Sequence, residues 1–457
     1  MSSVPKLTER SMDLDRARDL VTRAQRLGAS DADVLFVEGD EFSVTVRRGE
    51  VEQLHGARSR RLGLRVFVGG QVATGATSDT TPGTLERLVS DLVANARAMG
   101  TDPAAGLPSQ ADVATSPPDL DLDDDIFERL SMDDRIALAR RAEEAATGAD
   151  PRISNSDGST FAFDAAHRIY AATNGFAGEY PSTTYSLVSR PLAAENGEMQ
   201  RDYYYTVARH FADLEAPDAV GAEAARRTLR RLGAQKPATG EVPVVFSPET
   251  ASRLLGAIGS AASGAALYNR ASFLLDRLGE SIAAPIVEIR DDPLEVRGLG
   301  SRPFDGEGVA TRSQAIVSGG ALQTYLLDTY SARRLDARSS GSCRRSTEGS
   351  PSAGPHQMRM TPGEHSPEDI IATIDNGLYV TSLIGHGMNL VTGDFSQGAA
   401  GLWIRGGELA ESVEECTVAA RLQDIFMNIE MIGSDLELKR TVSAPTLKIA
   451  RLMVAGQ

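Results

Sequence analysis

The sequence predicts an α+β protein in two parts. An N-terminal domain of antiparallel sheet with helices precedes a C-terminal β-rich domain with a central small-residue helix. Three observations predict this. The first hundred residues read helix, strands, helix, without the βαβ rhythm of a parallel sheet. Residues 151–212 read as strands around recurring Gly-containing turns. Beyond residue 240, glycine and turn residues are dense and helical periodicity is sparse. The boundary is expected at Gly233–Gly240, giving domains of 1–235 and 236–457.

The elements follow in order. Leu14, Ala17, Leu20, Val21, Ala24 and Leu27 have helical spacing, and Gly28 suits the C-cap. Val34–Val37 and Phe42–Val46 are strands by β-branched and aromatic content. A turn at Arg48-Gly49-Glu50 leads into a further strand. Leu62, Leu64, Val66 and Val68 alternate as in a half-buried strand, and Gly69-Gly70 gives a hairpin into Gln71–Ala76. Leu85–Met99 is an amphipathic helix. Asp102–Asp125, rich in Pro, Asp and Ser, reads as a surface excursion or linker. Asp133–Thr147 and Ala219–Leu232 are helices, separated by strands with turns at Ser156-Asp157-Gly158, Asn174-Gly175 and Asn196-Gly197. After Val242–Phe246, a strand, the only further helical periodicity outside the small-residue segment is Pro367–Asn376.

Composition excludes some functions. The 457 residues carry a net charge of -16, which argues against nucleic acid or an anionic membrane surface as a partner. Met1–Arg10 is polar and lacks an apolar signal core, and no run of 18 apolar residues occurs. Two cysteines, Cys343 and Cys416, make no disulfide framework and fit a reducing compartment. A cytoplasmic location is expected.

Motifs with direct chemistry are scarce. The six histidines (His55, His167, His210, His356, His365, His386) include no i, i+4 pair, and neither HExxH nor CxxC is present. Asp291-Asp292-Pro293 and Asp305-Gly306-Glu307-Gly308 could seed a hard-cation site or simply form turns. Cys343 lies near Arg338, Arg344 and Arg345 in sequence, a setting that lowers a thiol pKa, but no partnering histidine is indicated. Ser260 and Ser263 lack a nucleophile elbow. Thr392–Ile404 holds the one tryptophan among glycines. It suits either a cleft wall that accepts an extended peptide or a relaxed hairpin with a core Trp403. Asp394, Phe395 and Ser396, with Trp403 in support, are the peptide-binding candidates.

Residues 256–266 read Gly-Ala-Ile-Gly-Ser-Ala-Ala-Ser-Gly-Ala-Ala, with one side chain larger than serine. The run follows a strand and a helix start at Ser247-Pro248-Glu249-Thr250, so it is expected on a helix with something packed very close. It carries no carboxylate, imidazole or thiol.

Several segments together resemble a known family. They are Ser43–Glu52, Gly63–Val66, Gly233–Leu255, Asp291-Asp292-Pro293, Pro303–Val309, Tyr325–Leu335 and Thr392–Ile404. Over nearly the whole chain the sequence resembles the TldD/PmbA family, and within it the PmbA/TldE subfamily. The resemblance implies a two-subunit assembly in which a TldD-like subunit is a zinc metallopeptidase with an HExxxH motif and a later Cys ligand. The PmbA-like subunit completes it without zinc ligands. The substrates implied are unfolded or ribosomally made peptides. Set on the family helix, Ser260 takes the place of the first zinc His, Ala261 that of the catalytic Glu and Ala265 that of the second His. Ile432–Pro445 holds no Cys. No cofactor is therefore expected in this chain, and zinc is expected in the partner. At Ser339–Arg344 the family's usual Thr-Gly-Asn is replaced, with Ser340 and Ser342 present. The alternative function is a stand-alone module, chaperone-like, that binds extended peptides without cleaving them.

Overall fold

The computed structural model describes residues 12–456. The polar Met1–Arg10 segment lies outside the described residues. The first half contains α1 (Leu14–Arg26), β1 (Asp31–Arg47), β2 (Glu50–Val68), β3 (Gln71–Thr77), α2 (Pro82–Ala98), α3 (Ile126–Arg129), α4 (Met132–Thr147), β4 (Ile153–Ala172), β5 (Ala177–Glu195), β6 (Glu198–Arg201), β7 (Tyr204–Ala208) and α5 (Pro217–Leu229). The second contains β8 (Gly240–Phe246), α6 (Pro248–Ala261), α7 (Gly264–Tyr268), β9 (Ile289–Asp291), β10 (Gln314–Ser318), β11 (Ala321–Leu322), α8 (Thr329–Arg334), β12 (Cys343–Arg344), β13 (Ser352–Ala353) and β14 (Met358–Met360). It ends with α9 (Pro367–Ala372), β15 (Asn376–Ile384), β16 (Asp394–Arg405), β17 (Glu408–Arg421), α10 (Leu422–Met427), β18 (Ile429–Ile432), β19 (Val442–Ser443) and β20 (Leu447–Ala455). The class is α+β, as the sequence predicts.

The N-terminal sheet runs β3-β2-β1-β4-β5-β6, with β7 also on β5, and every pairing is antiparallel. Its hairpins turn at Arg48-Gly49, Gly69-Gly70 and Asn196-Gly197, where both residues have positive φ, the geometry that matches strand twist. Even-numbered residues of β1 point to the helices: Ala32, Val34 and Phe36 pack with α1 and α2, and Phe42, Val44 and Val46 with α4 and its neighbours. The separate strands Val34–Val37 and Phe42–Val46 are thus one 17-residue strand. Ser156-Asp157-Gly158 is a bulge inside β4 rather than a turn, marked by a register shift between Ser156 and Ser159.

The second sheet runs β17-β16-β15-β8-β20-β18. β17 also pairs with β20, so β8, β15, β16, β17 and β20 close into a ring. Val244, Phe246, Leu254, Leu255, Ile258, Val380 and Ile449 form part of its core. A smaller sheet, β11-β10-β9-β14-β19, lies beside it. Residues 102–125 are not a loose linker. Ala104, Leu107, Leu120 and Leu122 are buried, and Val113 bridges Val309 of the second half.

Candidate functional site

The small-residue run is not one helix. α6 ends at Ala261, and Ser263 adopts an extended backbone before α7 begins at Gly264. Alanine favours helix, so the break is tertiary. Leu326 donates its N–H to the Ala262 carbonyl at 2.9 Å and accepts from the Gly264 N–H at 2.8 Å. The last carbonyls of α6 find partners nearby, with Ser272 Oγ donating to the Ala261 carbonyl at 2.6 Å. The expected close packing is local. A Cβ on Gly264 would lie 2.1 Å from Ser331 Oγ, and one on Gly259 2.8 Å from Met358 Cε. One on Gly256 would meet nothing within 4 Å.

That open space is a groove of about 400 Å³. Arg253, Gly256, Ala257 and Ser260, one helical stripe of α6, form one wall. The opposite wall is His386, Met388 and Leu390 from the loop between β15 and β16, with Gln397 from β16. Arg253 ties the walls together: its guanidinium donates to the carbonyls of Leu383 and Gly385. The loop is further fixed by the Phe273 N–H donating to the Leu390 carbonyl at 2.8 Å and the Ser396 N–H to that of Gly387 at 2.7 Å. Gln397 is 3% exposed and its Oε1 has no hydrogen-bond partner. Among the described residues no Asp or Glu lines the groove.

The residues singled out from sequence divide between groove, core and surface. Ser260 is exposed on the groove wall, its Oγ bonded to the Gly256 carbonyl at 2.9 Å. Ala261 is fully buried in the core, and Ala265, partly exposed, lies beyond the helix break. Phe395 and Trp403 face inward, at 1% and 7% exposure, and the Trp403 indole N–H donates to Asn376 Oδ1 at 2.8 Å. They are core residues, not a cleft wall: β16 alternates, so Asp394 and Ser396 face solvent while Phe395 and Gln397 face in. Asp394 accepts from Thr392 Oγ1 at 2.6 Å, which shapes the loop. Sequence reasoning passed over Arg253 and Gln397, and weighed His386 only among the six histidines as a metal ligand. The signal for Gln397 was present, since it stands two residues from Phe395 on one strand.

The acidic motif has a different place. Asp305, Glu307 and Cys343 are buried between the two halves. Arg65 of β2 donates to Asp33 Oδ2 at 3.0 Å and to Glu307 Oε1 at 3.1 Å. Arg345 and the Tyr170 hydroxyl also reach Asp33, at 2.7 and 3.1 Å. Burial pushes the Asp33 carboxyl up, but Arg345 and Arg65 outweigh it and hold the group below its ordinary value. Burial, then the neighbouring Glu307, lifts Asp305 to about 7, against three backbone N–H donors from Glu307, Val309 and Cys343. Cys343 is the reverse of the arginine-activated thiol suggested by its sequence neighbours. Burial and the adjacent Glu307 and Asp305 push its pKa well up, and Arg65 opposes only weakly. Ser340 and Ser342 are likewise internal, bonded to each other at 2.7 Å, with Ser340 Oγ accepting from the Leu327 N–H.

A catalytic zinc needs about three protein donors and an open position. Ser260 offers a hydroxyl, Ala261 and Ala265 offer nothing, and among the described residues His386 is the one imidazole lining the groove. This set does not fit zinc. Among the described residues no group of three or more His, Cys, Asp or Glu side chains is placed to hold a metal.

With this geometry in view, the chain matches three family profiles. They are the PmbA/TldA metallopeptidase domain 1 over residues 32–96, the central domain over 125–232 and the C-terminal domain over 239–456. It is 37% identical to Metalloprotease PmbA of Escherichia coli O157:H7, over 94% of this chain and 93% of that one. It is 33% identical to a Metalloprotease PmbA homolog of Haemophilus influenzae, over 95% and 94%. A Bacteroides thetaiotaomicron crystal structure, described as a candidate modulator of DNA gyrase, superposes with a TM-score of 0.91. That match has 30% identity and covers 98% of this chain and all (100%) of the other. TldE from Thermococcus kodakarensis shares the fold, with a TM-score of 0.86 at 18% identity, over 97% and 100% of the two chains.

Proposed function

The chain belongs to the PmbA/TldD metallopeptidase family, and from that premise we propose that it is the metal-free subunit of a heteromeric zinc peptidase. In this reading a TldD-like partner supplies the zinc, and this chain shapes the cleft that takes an unfolded or ribosomally made peptide. One observation carries it: the groove along α6 is open and structurally braced, yet its lining has no set of metal donors. Hydrolysis of a peptide bond on zinc needs the ion to polarise the carbonyl and a carboxylate to move the proton. Ser260, Ala261 and Ala265 supply neither function, so this chain's part is to position peptide. Arg253 would brace the groove walls, and Gly256 and Ala257 would leave room for an extended backbone. Asp394 and Ser396 face solvent on the other side of β16 from Gln397 and would meet peptide only outside the groove.

The test is co-elution and kinetics with a TldD-like subunit. The reading expects a stable complex that cleaves an unfolded peptide faster than the catalytic subunit alone. Absence of a complex, with peptide binding by this chain unaided, would instead support the stand-alone module.

A further inference from the structure

We propose that the α6 groove holds the carboxy-terminal end of a peptide, with the free carboxylate on Arg253 and an apolar last side chain against Ala257 and Met388. The inference rests on the reading of the groove as a peptide cleft, and adds which end of the peptide it takes.

The argument begins with an unmatched cation. Arg253 is exposed on the groove wall and donates to the carbonyls of Leu383 and Gly385. A guanidinium has more N–H donors than these two bonds use, and its planar fork suits a carboxylate. Among the described residues no carboxylate pairs with Arg253, and none lines the groove, although the chain carries a net charge of -16. The positive charge is thus left for something that enters.

A second observation fixes what accompanies the anion. Gln397 is 3% exposed and forms the groove floor, where its Nε2 donates to the same Gly385 carbonyl at 3.5 Å. Its Oε1 has no partner. A buried acceptor left empty is costly, and a ligand N–H that reaches the floor would fill it. Arg253 and Gln397 converge on one carbonyl, so a ligand that uses both carries an N–H donor close to its anion. The last residue of a peptide does so, because its amide N–H and its carboxylate are joined through one Cα. An Asp or Glu side chain holds its carboxylate further from its own N–H.

The groove is also polarised along its length. Arg253 and Ser260 are about 10 Å apart along the helix axis, room for about three extended residues. Gly385, next to His386, lies at the Arg253 end, because it takes the guanidinium. Leu390 lies towards the other end: its carbonyl accepts from the Phe273 N–H, and the neighbouring Ser272 bonds the last residue of α6. Ala257, Met388 and Leu390 therefore give an apolar stretch leading away from the cation. A carboxylate on Arg253 sends the preceding residues towards Ser260.

The test is the binding of short unstructured peptides, labelled with a fluorophore at the amino terminus, to the purified chain, read by anisotropy. Three peptides share one sequence: one ends in Leu as the free acid, one in Leu amide and one in Asp amide. We expect the acid to bind about tenfold more tightly than either amide. Arg253→Met should erase that preference. Arg253 also braces the loop, so melting temperatures are measured alongside, and Gln397→Glu gives a second variant. It keeps an acceptor on the floor but sets a negative charge against the ligand carboxylate, so it should weaken the acid and spare the Leu amide. Equal binding of acid and Leu amide by the native chain would overturn the anchor and leave the peptide cleft standing. Asp amide bound as tightly as the acid would also overturn it, as would an acid preference that survives in folded R253M. Binding of none of the three would overturn both the anchor and the cleft.

Discussion

The Asp33–Arg65–Glu307–Arg345 cluster and the α6 groove are opposites. The first gathers the residue types expected of a catalytic site and buries them with partners: Arg65 bonds two carboxylates, and Asp33 takes two arginines and a tyrosine. Its groups are occupied with one another and closed to substrate, which makes it a joint between the two halves. The groove holds almost no ionisable chemistry, yet it is open, walled by two elements, and lined by a residue whose Oε1 is unpartnered. The lesson is that perturbed carboxylates mark function only where something can reach them. In this molecule the perturbation belongs to structure, and the accessible surface belongs to small residues.

That contrast can be broken at four points. The largest effect is expected at the joint. Arg65→Met strips Glu307 of its cation in a buried setting and should cost about 3–5 kcal/mol, read as a lower denaturation midpoint. Unchanged stability would mean the joint is dispensable. Next is Ala261→Glu, which puts a carboxylate where the family resemblance leads one to expect the position of a catalytic Glu. Ala261 is fully buried, so the change should destabilise by about 3 kcal/mol and create no hydrolysis. A stable, active A261E protein would show that the position faces the groove.

The third is pH. Asp33 holds its proton less readily folded than unfolded, so its contribution to stability is complete above the ordinary carboxyl value of 3.8. It is lost as pH falls through the lower folded value. Urea midpoints measured from pH 6 downward, in steps, should fall most steeply below 3.8 in the native chain, and less so in Asp33→Asn. Identical profiles would remove Asp33 from the account. The smallest stability effect belongs to Gly256→Leu. The site is open and helical, so stability should hold within about 0.5 kcal/mol or rise. Peptide cleavage by the assembled complex should nevertheless fall, because the new side chain fills the groove. Undiminished cleavage with a filled groove would take peptide elsewhere.

Much of the fold was legible because local chemistry and tertiary context agree. Leu14–Arg26 has one apolar stripe, and the Gly69-Gly70 and Asn196-Gly197 turns demand positive φ. The motifs Pro303–Val309 and Thr392–Ile404 marked the family. The site was legible only in outline, for reasons that lie in long-range contacts. The break at Ala262–Ser263 is imposed by Leu326, more than sixty residues away, against strong local helix propensity. Arg253 and His386 meet only because β15 folds beside β8, which puts the loop after β15 beside α6. Phe395 and Trp403 looked like recognition residues because aromatic side chains beside glycines suit an open wall. The ring closed by β17 and β20 turns them inward.

The central claim is that this chain keeps the family cleft without the family's metal. Its most direct test is the zinc content of the isolated chain, after equilibration with zinc and desalting, measured alongside cleavage of an unfolded peptide. The account predicts far less than one zinc per chain and no cleavage that a chelator abolishes. One zinc per chain, with chelator-sensitive cleavage by this chain alone, would contradict it.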